Sequence, residues 1–271
     1  MTTNGLLSGQ VAFITGAGSG LGAAFARRLA ADGATVVVND LDAAAAALVA
    51  IELGGDTAVF DVGDPVAFDT EVDKVVERHG RLDIMINNAG IAPPSDPGRM
   101  EQMVNNQVAR MEGRLDDMVP PDTTVSLSDA EWDRMIRVHL YGTFHGTRAA
   151  LRHMTPRRAG CVVNISSVLG LRPMAGAVHY ATAKAGIIAF TKSVGQEVAP
   201  YGIRVNAVCP GWVDTPLLTP MDPLMIAGIV MQIPRGRLAM AEELAELVRF
   251  LSGPESSYCN GDVFAASGGF V

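Results

Sequence analysis

The stretch "TGAGSGLG", residues 15–22, decides the fold. It follows the apolar run "VAFITGA" (11–17) and opens the helix-length segment "GLGAAFARRLAADG" (20–33). Gly16, Gly20 and Gly22 let a backbone turn tightly and come close to a pyrophosphate at a helix N-terminus, where free N–H groups and the helix dipole favour negative charge. Gly18, Ser19 and Leu21 complete that candidate phosphate turn. A tight strand-to-helix turn with no ligand would use the same residues, so the surroundings must decide. Asp40 closes the next apolar run, "TVVVND" (35–40). An acid there accepts hydrogen bonds from adenosine ribose hydroxyls and repels a 2′-phosphate. No Arg or Lys lies inside the turn, and Arg27 and Arg28 are expected to face solvent. The expectation is NAD rather than NADP, with Leu41 beside the adenosine. Asp61 and Val62 would flank the adenine, or simply turn the chain at a strand end.

The pattern continues outward. "TAVFDV" (57–62), "LDIMINNAG" (82–90), "GCVVNIS" (160–166) and "IRVNAVCPG" (203–211) are continuous apolar runs, as strands buried on both faces require. Between them lie segments with helical periodicity, several ending in Gly. Strand–helix alternation implies an α/β fold, a parallel sheet doubly wound by helices. No composition break marks a second domain, so residues 1–271 read as one dinucleotide-binding unit. A long Pro-punctuated connection at about 95–126 departs from the short loops of such folds.

Composition excludes several classes. A net charge of −8 and a pI near 5.1 argue against nucleic acid, whose phosphates need clustered Lys and Arg. Cys161, Cys209 and Cys259 are odd in number and widely spaced, which fits free thiols in a reducing cytoplasm. No run of eighteen apolar residues predicts a membrane span, and the N-terminus has no basic, signal-like start. No metal-ligand spacing is present. Lysine is scarce, limited to Lys74, Lys184 and Lys192. One of these stands in "VHYATAKAG" (178–186), four residues after Tyr180 with only small residues between them. On a helix the two side chains share a face. A surface neighbour pair is the plain reading; a phenol tuned by a cation for proton exchange is the sharper one.

Taken together, "TGAGSGLG", "NNAG" (87–90), "NISS" (164–167), "YATAK" (180–184) and "PGWVDTP" (210–216) resemble, in order, the motifs of the short-chain dehydrogenases/reductases. The tail "YCNGDVFAASGGF" (258–270) is similar to that family's last strand. The resemblance implies a hydride exchanged between a nicotinamide and a secondary alcohol or ketone. Tyr180 would be the acid/base, its pKa drawn below the usual ~10 by Lys184 and by the oxidised nicotinamide. Lys184 would also hold the nicotinamide ribose. The family's serine lies thirteen residues before the tyrosine, which selects Ser167 over Ser166 to hold the substrate oxygen. Asn87 or Asn88, with Ala89 and Gly90, would line the adenosine ribose and pyrophosphate. Pro210, Gly211, Val213 and Thr215 would meet the nicotinamide carboxamide and pyrophosphate. A homotetramer is the family's usual assembly.

There is one departure. The family commonly has Asn in the helix before "NISS"; aligning "IRVHLYGTF" (136–144) puts His139 there. Either the replacement is tolerated because the relay uses that residue's main-chain carbonyl, or the imidazole, with a pKa near ~6.5, joins the relay. His139 is therefore a candidate catalytic residue, while His179 is expected at the pocket rim.

The substrate segment after "PGWVDTP", about 212–236, contains "LLTPMDPLMIAGIVMQIP" (217–234), apolar apart from Asp222. It either packs on the core or suits a bulky apolar ligand. A hydroxysteroid-like alcohol is the leading substrate expectation, and a 3-oxoacyl (acyl-carrier protein or CoA) thioester the alternative. A non-catalytic dinucleotide sensor or scaffold is the rival from another class. Within 99–119, Met100, Met103, Val104, Gln107, Val108, Met111, Leu115 and Met118 recur at helical spacing. That predicts one amphipathic helix burying a face, over the pocket mouth or against a neighbouring subunit. It lacks the cationic face of a membrane-surface helix.

Overall fold

The structure is a computed structural model describing residues 5–93, 97–119, 123–219, 221 and 223–271, with the side chains of 97, 99, 100, 103 and 224 also outside the description. Strands β1 (Val11–Ile14), β2 (Thr35–Asp40), β3 (Asp56–Val59), β4 (Ile84–Asn87), β5 (Gly160–Ile165), β6 (Ile203–Pro210) and β7 (Val263–Ala266) form one sheet, ordered β3-β2-β1-β4-β5-β6-β7. Every pairing is parallel. The chain order reverses between β1 and β4, which opens a crevice at the carboxyl ends of the strands.

The helices that cover the sheet are α1 (Gly20–Ala31), α2 (Ala43–Leu53), α3 (Pro65–His79), α4 (Pro97–Met111), α5 (Thr123–Ser126), α6 (Asp129–Ile136), α7 (Gly142–Arg157), α8 (Val168–Leu171), α9 (Val178–Val198), α10 (Pro223–Gln232) and α11 (Ala241–Ser252). Successive strand residues feed opposite faces. Ala12 and Ile14 pack with Phe25 and Leu29 of α1 and Val248 of α11. Val11 and Phe13 pack with Phe68 and Val72 of α3 and Met154 of α7. The continuous apolar runs thus reflect two cores on one sheet. Sequence punctuation sets the helix ends. The carboxylates of Asp42 and Asp64 accept N–H groups at the starts of α2 and α3, and Gly54 and Gly80 end them in left-handed conformation.

The connection at 97–126 differs from expectation. Its helix stops at Met111, Gly113 takes a φ of 73°, and Leu115–Asp117 form a short 3-10 turn. The Asn106 side chain ties the returning chain: its amide donates to the Val119 carbonyl at 2.6 Å and its oxygen accepts from the Val119 N–H at 2.9 Å. Val104, Val108, Met111 and Leu115 are exposed, so this part of the apolar stripe is not buried by its own subunit. The Met100 and Met103 side chains, and Asp222 in the substrate segment, lie outside the described residues. Among the described residues no helix is long and apolar enough to cross a membrane, and no cluster of three or more His, Cys, Asp or Glu could hold a metal.

Close approach at the first turn explains Gly22. A Cβ there would lie 2.2 Å from the Gly16 carbonyl oxygen and 2.6 Å from the Asn88 amide nitrogen. Gly22→Ala is expected to destabilise the protein by about 1–3 kcal/mol, the usual range for overpacking a tight site. Urea unfolding measures this, and a change below about 0.5 kcal/mol would show that the turn has room to move.

Candidate active site

Three side chains meet where β5 ends and α9 begins. Ser167 follows β5 and starts α8, its hydroxyl accepting the Leu169 N–H at 3.1 Å. The same hydroxyl is close enough to the Tyr180 phenol to lower its pKa. Lys184, one turn after Tyr180 on α9, is 4 % exposed. Its ammonium donates to the Ile165 carbonyl at 2.9 Å and sits 5.7 Å from the centre of the Tyr180 ring. Ser166 turns the other way, its hydroxyl donating to the Lys184 carbonyl at 2.8 Å. The choice of Ser167 over Ser166 therefore agrees with the geometry.

Burial lowers the Lys184 pKa from 10.5 to about 7. Burial pushes the Tyr180 phenol up, and the Ser167 hydroxyl pulls it partly back. Lys184 does not lower it. Desolvation has already weakened the hold of that amine on its own proton, and its nearest bond is to Ile165. At neutral pH Tyr180 is a protonated phenol, a proton donor.

His139 lies on a π-helical turn, Arg137–Tyr141, between α6 and α7. It is buried, and its ring stands edge-to-face on Tyr180 with centroids 5.3 Å apart and planes at 83°. Burial, then the nearby Lys184 charge, hold its pKa well below the ordinary imidazole value. The imidazole is neutral across the physiological range. His179 is also buried rather than at an open rim.

The glycine turn is built as the sequence implies. Gly16 and Gly20 adopt φ values of 61° and 52°. Ser19 starts α1 without capping it through its side chain, and no acidic residue occupies the first turn. The helix N-terminus therefore has neither a side-chain cap nor a competing acid. A Cβ at Gly18 would lie 2.8 Å from the Asp40 carboxylate, which accepts the Gly18 N–H at 3.0 Å. Its other oxygen accepts the Asp42 N–H at 3.1 Å. Leu41 beside it is 70 % exposed. The nearest neighbours of a Cβ on Gly20 would be Pro216 and Thr215, both at 3.7 Å, so the loop after β6 closes the other side of the turn. In that loop Val213 is buried and bridges to Ala239. Gly211 approaches the Ser267 backbone so closely that a Cβ would lie 2.9 Å from its Cα. Pro210 ends β6.

Some residues are placed differently. Asn87 points into the core, its amide donating to Thr147 at 3.0 Å and to Asn164 at 2.8 Å, so it does not line a ribose. Asn88 takes the turn instead, donating to the carbonyls of Thr15 and Gly16. Ala89 also borders the turn, where a Cβ on Gly16 would lie 2.8 Å from its Cα, and Gly90 lies under the His139 ring. Val62 is buried against Gly142, and the Asp61 carboxylate is taken up by Arg137 at 3.2 Å and the Gly63 N–H at 2.8 Å. Arg27 and Arg28 are partly exposed and paired with Glu52 and with Asp32 and Glu246.

Sequence reading missed three supports. The Thr15 hydroxyl accepts the N–H groups of Asn88 and Ala89. Asn39 accepts the Gly16 N–H and donates to the carbonyls of Ala58 and Phe60. The buried Cys209 thiol lies close to the Ser166 hydroxyl and the Ser167 main chain, which lower its pKa against the effect of burial. For Asn39 there was a signal, a polar residue inside an otherwise apolar strand.

With this geometry established, comparison with known proteins is informative. The short chain dehydrogenase family model matches residues 10–223. The chain is 34% identical over 270 residues to the 3-oxoacyl-[acyl-carrier-protein] reductase FabG of Thermotoga maritima, covering 98% of this chain and 99% of that one. The enzyme of the same name from Escherichia coli is 34% identical over 263 residues, 96% and 97% of the two chains. The cis-4-hydroxycyclohexanecarboxylate dehydrogenase of Sinomonas cyclohexanicum is 36% identical over 266 residues, 97% and 96%.

The depressed Lys184 pKa has a consequence for folding. Between about pH 7 and 10.5 the unfolded chain holds a proton on this amine that the folded chain has released. Stability attributable to Lys184 therefore rises with pH across that window, and its burial penalty is full below it. Lys184→Met is expected to gain most over the parent at and below pH 7, with the advantage shrinking toward pH 10. Urea unfolding of both proteins at several pH values reads this difference; a constant gap would mean that Lys184 keeps its ordinary pKa.

Proposed function

The chain belongs to the short-chain dehydrogenase family, and from that premise we propose that it interconverts a secondary alcohol and a ketone with NAD as hydride carrier. The single observation that carries this reading is the assembly of Ser167, Tyr180 and Lys184 beside the glycine turn. The fit of a dinucleotide rests on the turn itself: open helix N–H groups, glycines whose added Cβ atoms would collide, and the exposed Leu41 next to Asp40. Gly16, Gly18, Ser19, Gly20, Leu21 and Gly22 would take the pyrophosphate, Asp40 and Leu41 the adenosine, and Val213 and Thr215 the nicotinamide side. The cofactor, when bound, supplies or accepts the hydride.

The chain's own residues manage the proton. In the reducing direction Ser167 holds the substrate carbonyl oxygen, and Tyr180, a phenol kept protonated by burial, gives that oxygen its proton. Lys184, with a pKa near 7, can return a proton to the phenolate at neutral pH. A non-catalytic sensor would have no need of this set.

For the substrate we favour a 3-oxoacyl or related oxo-carboxyl compound over a hydroxysteroid. The names of the relatives support this. A 3-oxoacyl thioester and a hydroxycyclohexanecarboxylate both carry a carboxyl-derived group besides the reacting oxygen. We extend the proposal to a homotetramer, since the π-helical turn and α7 leave Tyr141 and Phe144 exposed, and Phe144 meets Phe190 of α9 edge-on. The free cysteines suit a reducing, cytoplasmic setting.

Two measurements test the reading. NAD is expected to bind at least tenfold tighter than NADP, about 1.4 kcal/mol, and Asp40→Ala to narrow the gap; equal affinities in the parent would reverse the cofactor assignment. Tyr180→Phe is expected to lower turnover at least ~100-fold while NAD binding persists. The assays use acetoacetyl-CoA, 4-oxocyclohexanecarboxylate and a 3-oxosteroid with NADH. Retention of most of the rate in Tyr180→Phe would remove the phenol from the mechanism, and a clear preference for the steroid would reverse the substrate choice.

A further inference from the structure

His139 stands where a carboxamide would serve the main chain better. One imidazole nitrogen, Nε2, lies 3.1 Å from the Ile91 nitrogen and 2.9 Å from the Ile91 oxygen. An asparagine has a separate donor and acceptor for such a pair; a single ring nitrogen serves only one of them in either tautomer. The other ring nitrogen, Nδ1, is buried without a hydrogen-bond partner. Hydrogen bonding therefore does not explain the imidazole.

The ring itself does. It stands edge-to-face on Tyr180, a favoured aromatic arrangement. The backbone makes room for it. A Cβ at Gly90 would lie 2.5 Å from the His139 Cε1, so only glycine admits the ring at that position. The π-helical turn shifts the side chains of Arg137–Tyr141 away from regular helical register, as such turns often do at functional sites.

We propose that His139 is a positioning residue, an aromatic wall that fixes the Tyr180 ring and keeps water from its phenol while Nε2 anchors Ile91. This rests on the assignment of Tyr180 as proton donor. The groups that surround the phenol are Ser167 at the end of β5, Cys209 on β6, Lys184 on α9 and His139 itself. Lys184 and His179, both on α9, are the charged or titratable groups that act on His139.

The test is His139→Asn, which can keep the Ile91 bonds and removes the wall. Tyrosine labelled with carbon-13 at the ring carbon bearing the hydroxyl allows the Tyr180 phenol to be titrated by NMR in the protein without substrate, with Tyr180→Phe assigning its signal among four tyrosines. The Tyr180 midpoint is expected to fall by at least half a pH unit in His139→Asn, because water reaches the phenol. With acetoacetyl-CoA and NADH, kcat is expected to fall at least fivefold, with the KM for NADH unchanged. An unchanged midpoint would overturn the proposal, leaving His139 only its Ile91 contact. Loss of a pH–rate inflection between 6 and 7.5 would overturn it in favour of an imidazole proton relay. If Tyr180→Phe remains active, the assignment of the donor fails, yet the NMR midpoint still decides whether His139 walls the phenol.

Discussion

The arrangement at the end of β5 depends on one buried bond, from the Lys184 ammonium to the Ile165 carbonyl. A charge in a dry interior is costly unless paired, and here the pairing is meagre: among the described residues no carboxylate is paired with it, and its bond is to a neutral carbonyl. The protein resolves this by letting the amine titrate near neutrality. That compromise places α9 against β5, since Ser166 returns a second bond from the strand to the Lys184 carbonyl. Tyr180, one turn earlier, is thereby set against Ser167. A lysine chosen only to hold a helix in place would be a poor choice; a lysine with a pKa near 7 fits the proton-returning role proposed for it.

A second constraint operates across the sheet. The glycine turn, the loop after β4 and the end of β2 are interlocked through main-chain groups rather than side-chain packing. Thr15 holds Asn88 and Ala89, Asn88 holds Gly16, Asn39 takes the Gly16 N–H, and Asp40 takes that of Gly18. These bonds fix the turn before any ligand arrives, which lowers the ordering cost of binding. Asp40 holds two N–H groups, those of Gly18 and Asp42, so its replacement would loosen the turn.

The strands and their order of use were legible in the sequence because parallel strands buried on both faces leave unbroken apolar runs. The glycine turn was legible because close backbone contact excludes every other residue. That Ser167, Tyr180 and Lys184 would lie close together was readable through spacing and resemblance. Other features needed coordinates. Nothing in "INNAG" says which asparagine turns inward, since that follows from the pleat at the end of β4 and puts Asn87, not Asn88, in the core. The surroundings of Val62 and Asp61 were hidden for a similar reason: Gly142 and Arg137, some eighty positions away, pack against them. The direction of the Tyr180 shift could not be read from spacing, because it comes from the burial of the phenol itself. The helix at 97–111 was real, but its apolar spacing ran past Gly113, where the left-handed backbone ends any helix.

That connection is where the chain departs most from the economy of the rest. The regular helices have an apolar stripe met by the sheet, and the sheet has no face left to offer α4. Its outward Val104, Val108, Met111 and Leu115 are held up by polar ties instead, chiefly the two-way bond of Asn106 to Val119. Apolar side chains kept in water lose roughly 1.5–3 kcal/mol each relative to full burial. These four side chains thus contribute little to folding of the single subunit, and the polar clamp ties the connection without them. Ser167, Tyr180 and Lys184, by contrast, are fixed from beneath by β5, β6 and α9. Variation in the connection and in the apolar segment after β6 can therefore alter the surroundings of the crevice without disturbing these three side chains.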